Sequence, residues 1–525
     1  MKKISVIALV LLLACGAVLW LLQRPSPPPL FADVPADAAT ASSADRDLAK
    51  RVRFVRLNEK VVSQLAQANS EVRLNFFKGD APTVIIERTE ENLNQSITSY
   101  GAIKEMPHSQ VILVAGGGTL AGSVMMPDGR MYLISHASDG IHKILEVANE
   151  KLPDCDAGRS GDIARRSKDG KAVMAFQSTS SRTSQRYINP ATVQRVNLRA
   201  PTSSSTATTR VTPTTKTVAT APVTPVVTTT VPPVTAPPIA PPTNTTTVTA
   251  PTKAVTKAVT APTKATPTKA GGSATIDILV VYTPQAKADH GGKSGAENMI
   301  TTAAAQANTA LKNSKINATI RVVHMTEVSY TEGAGVADDL DAVTTGSTAA
   351  MAQVHQLRLQ YKADLVTLFT AAHGASSVGV GWLMPGQAIP DNGYNVVELQ
   401  AAPMLTFIHE TGHGLGCTHT KDGGGTGAFP YSFGHRFKPT DSKAPSSDYR
   451  TVMAYAPGVR VPYFSNPSVS YYGTATGVTD DADNARTINQ TASIVAAYSD
   501  TLAAKAASPT QGNDNTASRP ATGAK

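Results

Sequence analysis

The run His409-Glu410-Thr411-Gly412-His413-Gly414-Leu415-Gly416-Cys417-Thr418-His419 combines three imidazoles and a carboxylate at spacings that build a metal site. It reads H-E-x-x-H-x-x-G-x-x-H. Residues four apart share a helix face, so His409 and His413 can address one ion. Gly416 accepts backbone angles that other residues resist, which lets the helix stop and the chain turn back with His419 as third ligand. Three protein ligands around zinc leave its fourth position open for water, as in catalytic rather than structural sites. Zinc lowers the pKa of such a water to about 7. Glu410, beside the first ligand, can take that water's proton as it attacks a peptide carbonyl. A positioned acid/base group contributes about 10²–10⁴-fold in rate. Five residues of this pattern could arise by chance on a surface helix, but Gly416 and His419 in register count against it.

Downstream lies Thr451-Val452-Met453-Ala454-Tyr455, followed by Pro457-Gly458. Taken alone, Met453 reads as core filling, because methionine suits irregular apolar gaps. After a complete zinc motif it resembles the Met-turn of the metzincin metalloproteases, which sets a methionine beneath the zinc-bound imidazoles. The resemblance also implies a role for Tyr455 at the metal or the oxyanion; a buried tyrosine bonded to backbone is the alternative.

The stretch from Ile276 to Ser499 resembles the secreted bacterial peptidyl-Asp metalloendopeptidases, relatives of the reprolysins. The matching residues include Ile276-Asp277-Ile278-Leu279-Val280-Val281-Tyr282-Thr283-Pro284, Glu327-Val328-Ser329-Tyr330 and Tyr361-Lys362-Ala363-Asp364-Leu365-Val366. Beyond the zinc motif they continue with Val452-Met453-Ala454-Tyr455, Val461-Pro462-Tyr463-Phe464-Ser465-Asn466-Pro467 and Ala482-Asp483-Asn484-Ala485-Arg486-Thr487. Two departures stand out: Cys417 is the domain's single cysteine, and Thr420 follows the third histidine where reprolysins usually have Asp. The resemblance implies cleavage of protein or peptide substrates on the amino side of acidic residues, which needs a cation in the receiving pocket. Arg460, preceding the Val461–Pro467 block, is the candidate, since arginine's fork of donors suits a carboxylate. Arg436 and Arg450 are rivals.

The elements that must position these residues follow from periodicity. Apolar, β-branched runs predict strands at 276–283, 317–329, 364–370, 379–384 and 395–399. Helical spacing predicts helices at 296–312 and 348–362, and an active-site helix starting at Pro403, since proline suits a first turn. The alternation predicts an α/β subdomain with a mixed, mostly parallel sheet followed by an irregular C-terminal subdomain; the resemblance implies that together they form an α/β metzincin-type catalytic domain over 273–500. A disordered tail is expected at 501–525.

Residues 49–157 are read as a separate β-rich pro-domain: runs at 72–77, 83–87, 111–115, 120–126 and 131–135 alternate with turns such as Pro127-Asp128-Gly129. Near its end stands Cys155. Related proteases use a pro-domain cysteine to block zinc, because a thiolate in the open position displaces the water. Cys155 is therefore the expected latency switch, with a disulfide to Cys417 as the alternative. Residues 24–48 are expected to be disordered.

The linker at 158–272 cannot build a core: from 200 on it is almost wholly Thr, Pro, Val, Ala and Lys. That part holds Arg210, Lys216, Lys253, Lys257, Lys264 and Lys269 and no acidic residue, six of the chain's net nine positive charges. The basic balance is thus a property of a spacer and gives no reason to expect nucleic acid. Lys2-Lys3 followed by an apolar run from Ile4 to Leu22 marks residues 1–23 for export. A cleaved signal is expected. A lipoprotein site at Leu12-Leu13-Ala14-Cys15 and a retained membrane anchor are the other fates. The reading is a secreted, monomeric zinc endopeptidase made as a latent precursor. Its rivals are a metalloprotease without acidic preference and a catalytically silent surface-binding protein on the same scaffold.

Overall fold

The computed structural model describes residues 26–35, 37–149, 151, 164–166, 172–174, 273–374, 377–423 and 425–507. The N-terminal part is one antiparallel sheet of nine strands: β1 (Phe31–Asp33), β2 (Ala49–Leu57), β3 (Glu71–Arg73), β4 (Thr83–Glu91), β5 (Ile97–Ile103), β6 (Gln110–Gly116), β7 (Thr119–Met125), β8 (Met131–Ser138) and β9 (Ile141–Val147). Their order is β1-β2-β9-β8-β7-β6-β5-β4-β3, so nearly every strand pairs with its chain neighbour. The sheet also draws in part of 24–48, a stretch that composition reads as disordered. Helix α1 (Ser43–Leu48) forms there behind a capping box made by Ser42 and Asp45, and β1 pairs with β2.

Side chains alternate across this sheet. Val111, Leu113, Leu120, Val124, Ile134 and Ile144 face a core shared with Val61 and Leu65 of helix α2 (Glu59–Leu65). Ala121, Met125, Leu133, Leu145 and Val147 face the other way, into a core shared with the domain that follows residue 273. A short hairpin, β10 (Ala164–Arg166) with β11 (Ala172–Met174), comes between them in sequence.

The C-terminal domain opens with β12 (Ala274–Tyr282), then helices α3 (Pro284–Asp289) and α4 (Lys293–Asn313), β13 (Ala318–Glu327), helices α5 (Val336–Thr345) and α6 (Ala349–Gln360), and β14 (Leu365–Thr370), β15 (Gly379–Gly381) and β16 (Tyr394–Glu398). The sheet order is β13-β12-β14-β16-β15, parallel except for the edge strand β15. Ile278, Val280 and Tyr282 pack with Met299, Ile300 and Ala303 of α4 on one face. Leu279, Val281, Val366 and Leu368 pack with Leu340, Val343 and Val354 of α5 and α6 on the other. Strands buried on both faces explain the near-continuous apolar runs in the sequence.

Two expectations about helix ends need correction. Pro403 does not open the active-site helix: it sits in a single 3-10 turn, Ala402–Met404, and helix α7 runs Thr406–Gly414. Leu405 between them has φ 69°, a left-handed residue that breaks the helical run. At the far end, helix α8 (Asn484–Val495) is followed by α9 (Tyr498–Ala507), which extends into the stretch expected to be tail. Its Ala-rich sequence favours helix. Between α7 and α8 the chain is irregular, with short strands β17 (Arg436–Phe437), β18 (Tyr449–Arg450) and β19 (Val459–Arg460). Among the described residues no helix is long and apolar enough to cross a membrane.

Candidate active site

Helix α7 is buried along almost its whole length, so its two histidines are enclosed rather than displayed. The helix ends where expected: Gly416 has φ 86°, a conformation open to glycine, and the Cys417 amide donates back to the Gly412 carbonyl. The chain then runs beside 432–434, with the Thr418 amide donating to the Ser432 carbonyl, and this delivers His419 to the other two histidines. One ring nitrogen from each of His409, His413 and His419 lies within 4.8 Å of the others.

The protons on these rings can be assigned. Nδ1 of His409 is 2.9 Å from the Val452 carbonyl, and Nδ1 of His413 is 2.9 Å from the Cys417 carbonyl. A carbonyl only accepts, so each Nδ1 carries the proton and each Nε2 keeps its lone pair. Burial pushes the pKa of His413 down to about 4. Burial, then the neighbouring histidines, then Arg460 hold His409 well below its usual range, and His419 is depressed in the same way. Nε2 of His409 and Nε2 of His419 stand 3.2 Å apart in this buried space. Neutral imidazoles with converging lone pairs fit a zinc ion.

Met453 is fully buried, and its Sδ would lie 2.6 Å from a Cβ added at Gly412, the residue before His413. The turn carrying it is fixed by Thr451 and Val452, whose amides donate to the His435 and Tyr463 carbonyls. The Tyr455 hydroxyl is 2.7 Å from Nε2 of His419, with the rings stacked 4.0 Å apart. Glu410 is 1 % exposed, and its carboxylate lies against β15. An added Cβ would stand 2.9 Å from a Glu410 carboxylate oxygen at Gly379 and 2.9 Å from the Glu410 carbonyl oxygen at Gly381, so glycine at both positions lets the edge strand approach this closely.

The candidate arginines separate. Arg436 is engaged with Asp422 and the Ala456 carbonyl. Arg450 is buried and donates to the Gly458 and Ala454 carbonyls, bracing the turn around Met453. Arg460 is the one whose charge reaches His409 and His419. Cys155 lies outside the described residues. Cys417 is a free, fully buried thiol 3.8 Å from the Asn484 carbonyl.

Comparison with known proteins bears on the same segment. Residues 272–485 match the family described as Metallo-peptidase family M12B Reprolysin-like. That segment is similar to reprolysin-like metallopeptidase domains. A protein named Peptidyl-Asp metalloendopeptidase from Stenotrophomonas maltophilia is 31 % identical over 237 residues, 44 % of this chain and 54 % of the relative. One of the same name from Xanthomonas campestris pv. campestris is 29 % identical over 241 residues, 45 % of this chain and 54 % of the relative. The chain thus spans about half the length of the curated relatives it matches. The crystal structure of metalloproteinase-II from Bacteroides fragilis aligns over 69 % of this chain and 85 % of its own at 9 % identity and TM-score 0.33, too slight a likeness to bear on function.

The metallopeptidase domain has a second buried polar cluster that no motif announced. His373, in the loop from β14 to β15, lies 3.0 Å from Asp339, 3.3 Å from Glu398 and 3.7 Å from Glu332. Burial lowers its pKa, but the bonds and charges of Asp339 and Glu398 outweigh this and raise it to about 10. The imidazolium ties α5, the end of β16 and the loop entering β15 into one unit. Its carboxylates are scattered at 332, 339 and 398, so sequence spacing gives no signal.

Proposed function

We propose that the protein is an exported, zinc-dependent endopeptidase made as a latent precursor. The observation that carries this is the set of three buried imidazoles, neutral and converging, beside the buried carboxylate of Glu410. A silent binding protein on this scaffold has no need of a carboxylate at that position. A zinc ion held by His409, His413 and His419 would supply Lewis acidity toward the substrate carbonyl and lower the pKa of a water molecule.

Glu410 takes the proton from the attacking water and hands it to the departing amine. The Tyr455 hydroxyl, within reach of His419, donates to the oxygen that gains negative charge. Met453, packed between the turns of α7, keeps the histidines in register. Arg460 receives an acidic side chain just after the scissile bond; the name shared by the relatives supports this preference. Cys155 caps the site before activation. Supporting this, an added Cβ at Gly129 would be 2.9 Å from Val459, and Asn149 donates to the Gly129 carbonyl, so the N-terminal domain ends beside Arg460 a few residues before Cys155.

The test is cleavage of unfolded casein by the full chain and by Cys155→Ala, with the new termini mapped by mass spectrometry. Fragments beginning with Asp or Glu, lost on chelation and restored by zinc, are expected, with Cys155→Ala the faster enzyme. Cuts without acidic enrichment would remove the specificity and leave the peptidase. No cleavage by either protein would favour the binding protein.

A further inference from the structure

Helix α4 carries no charged residue from Asn298 to Leu311. A helix at a domain surface usually shows charged residues to water, and this stretch has none. One side, with Met299, Ile300, Ala303, Ala307 and Ala310, packs on the sheet of the metallopeptidase domain. The other side carries Asn298, Thr302, Ala305 and Gln306 at helical spacing, each of them buried.

The N-terminal sheet covers that second side. Tyr100, Ile112 and Val114 close over Ala305. The Asn298 side chain donates to the Gly116 carbonyl at 3.0 Å and the Thr119 hydroxyl at 2.8 Å. Beyond the helix, the Ser123 hydroxyl donates to the Pro403 carbonyl, Gln400 to Asp45, and the Tyr449 hydroxyl to the Pro127 carbonyl. The sheet is built for the same contact. Strands β7 and β9 are buried along their whole length, whereas an antiparallel sheet commonly leaves one face to solvent. Two complementary surfaces, mostly apolar and with the buried Lys143–Asp45 pair bonded to Gln400 across them, resemble an obligate interface.

We propose that the N-terminal domain is a constitutive subunit of the peptidase, held on α4 by this interface and independent of the covalent linker. Cutting the chain between 182 and 260 then yields a two-chain enzyme, not a free metallopeptidase domain. This inference does not depend on the proposed catalytic chemistry, since it concerns association and not cleavage.

The experiment places a recognition site for a specific protease in residues 200–260 of the full chain, cuts it, and follows both fragments by size-exclusion chromatography and native mass spectrometry. One species containing both fragments in equal amounts is expected at micromolar and nanomolar concentrations. Two separate species would overturn the proposal, and this comparison needs no substitution. Ala305→Arg sets an unpaired charge against Tyr100, Ile112 and Val114; after cutting, its fragments are expected to bind at least about 10²-fold more weakly. Ile112→Arg makes the same test from the sheet side. Undiminished association in both folded variants would contradict the assigned surface.

Discussion

The thioether of Met453 fills the space that a side chain at Gly412 would need: a Cβ there would lie 2.6 Å from Sδ. Residue 412 lies in the turn of α7 that leads into His413, so the missing side chain leaves room for the methionine against that turn. Gly412→Ala sets two effects against each other. Alanine gains about 1 kcal/mol in helix propensity over glycine, while forced overpacking costs about 1–3 kcal/mol. Met453 is fully buried and has nowhere to go, so overpacking wins. The expected outcome is a lower thermal midpoint and faster loss of zinc to a chelator, both read on the purified protein.

Tyr455 stands with its hydroxyl 2.7 Å from His419. If that hydroxyl donates to the developing oxyanion, Tyr455→Phe lowers kcat by about 10²-fold, the loss typical of one oxyanion donor. Zinc content by elemental analysis and KM are expected to stay close to wild type. An unchanged kcat would return Tyr455 to a packing role.

Arg460 is the candidate because its charge reaches His409 and His419. Arg460→Gln is expected to abolish enrichment of Asp and Glu after the cut while casein is still degraded. Terminal mapping by mass spectrometry checks this. Retained acidic preference would move the assignment elsewhere.

The clustering of His409, His413 and His419 and the mostly parallel sheet are legible in the sequence because each has a strong local signature. H-E-x-x-H imposes its own geometry, and doubly buried strands leave long apolar runs. What stays hidden depends on contacts between distant residues. Strand β15 falls within the strand expected at 379–384 but ends at Gly381, and the reason for its two glycines shows only once Glu410 lies against them. Strand β9 holds His142, Lys143 and Glu146, which read as polar but are buried by partners elsewhere, Lys143 by Asp45 at 2.7 Å. The start of α7 was misplaced because a left-handed Leu405 is not visible in residue type.

Buried histidines set the pH range of stability. His142 and His290 are pushed down to about 4, mainly by burial, then by His136 for the first and Lys143 for the second, with Asp45 opposing at His290. A depressed histidine leaves stability intact above the unfolded value near 6.5 and removes it as pH falls to 4, by roughly 3 kcal/mol each. His373 acts in the opposite sense. Raised to about 10, it contributes fully below 6.5 and loses that contribution as pH climbs to 10. The thermal midpoint is therefore expected to peak near pH 6.5. Calorimetry on His373→Gln is expected to show a shallower alkaline fall, and His290→Gln a shallower acid one. Unchanged slopes would contradict the assignments.

The central claim is tested most directly by comparing the wild-type chain with Glu410→Ala on unfolded casein, with the zinc content of both measured. Wild-type cleavage, abolished by chelation, and an inactive variant carrying the same single zinc are the results expected. A Glu410→Ala protein that binds zinc and still cleaves at the wild-type rate would contradict the account.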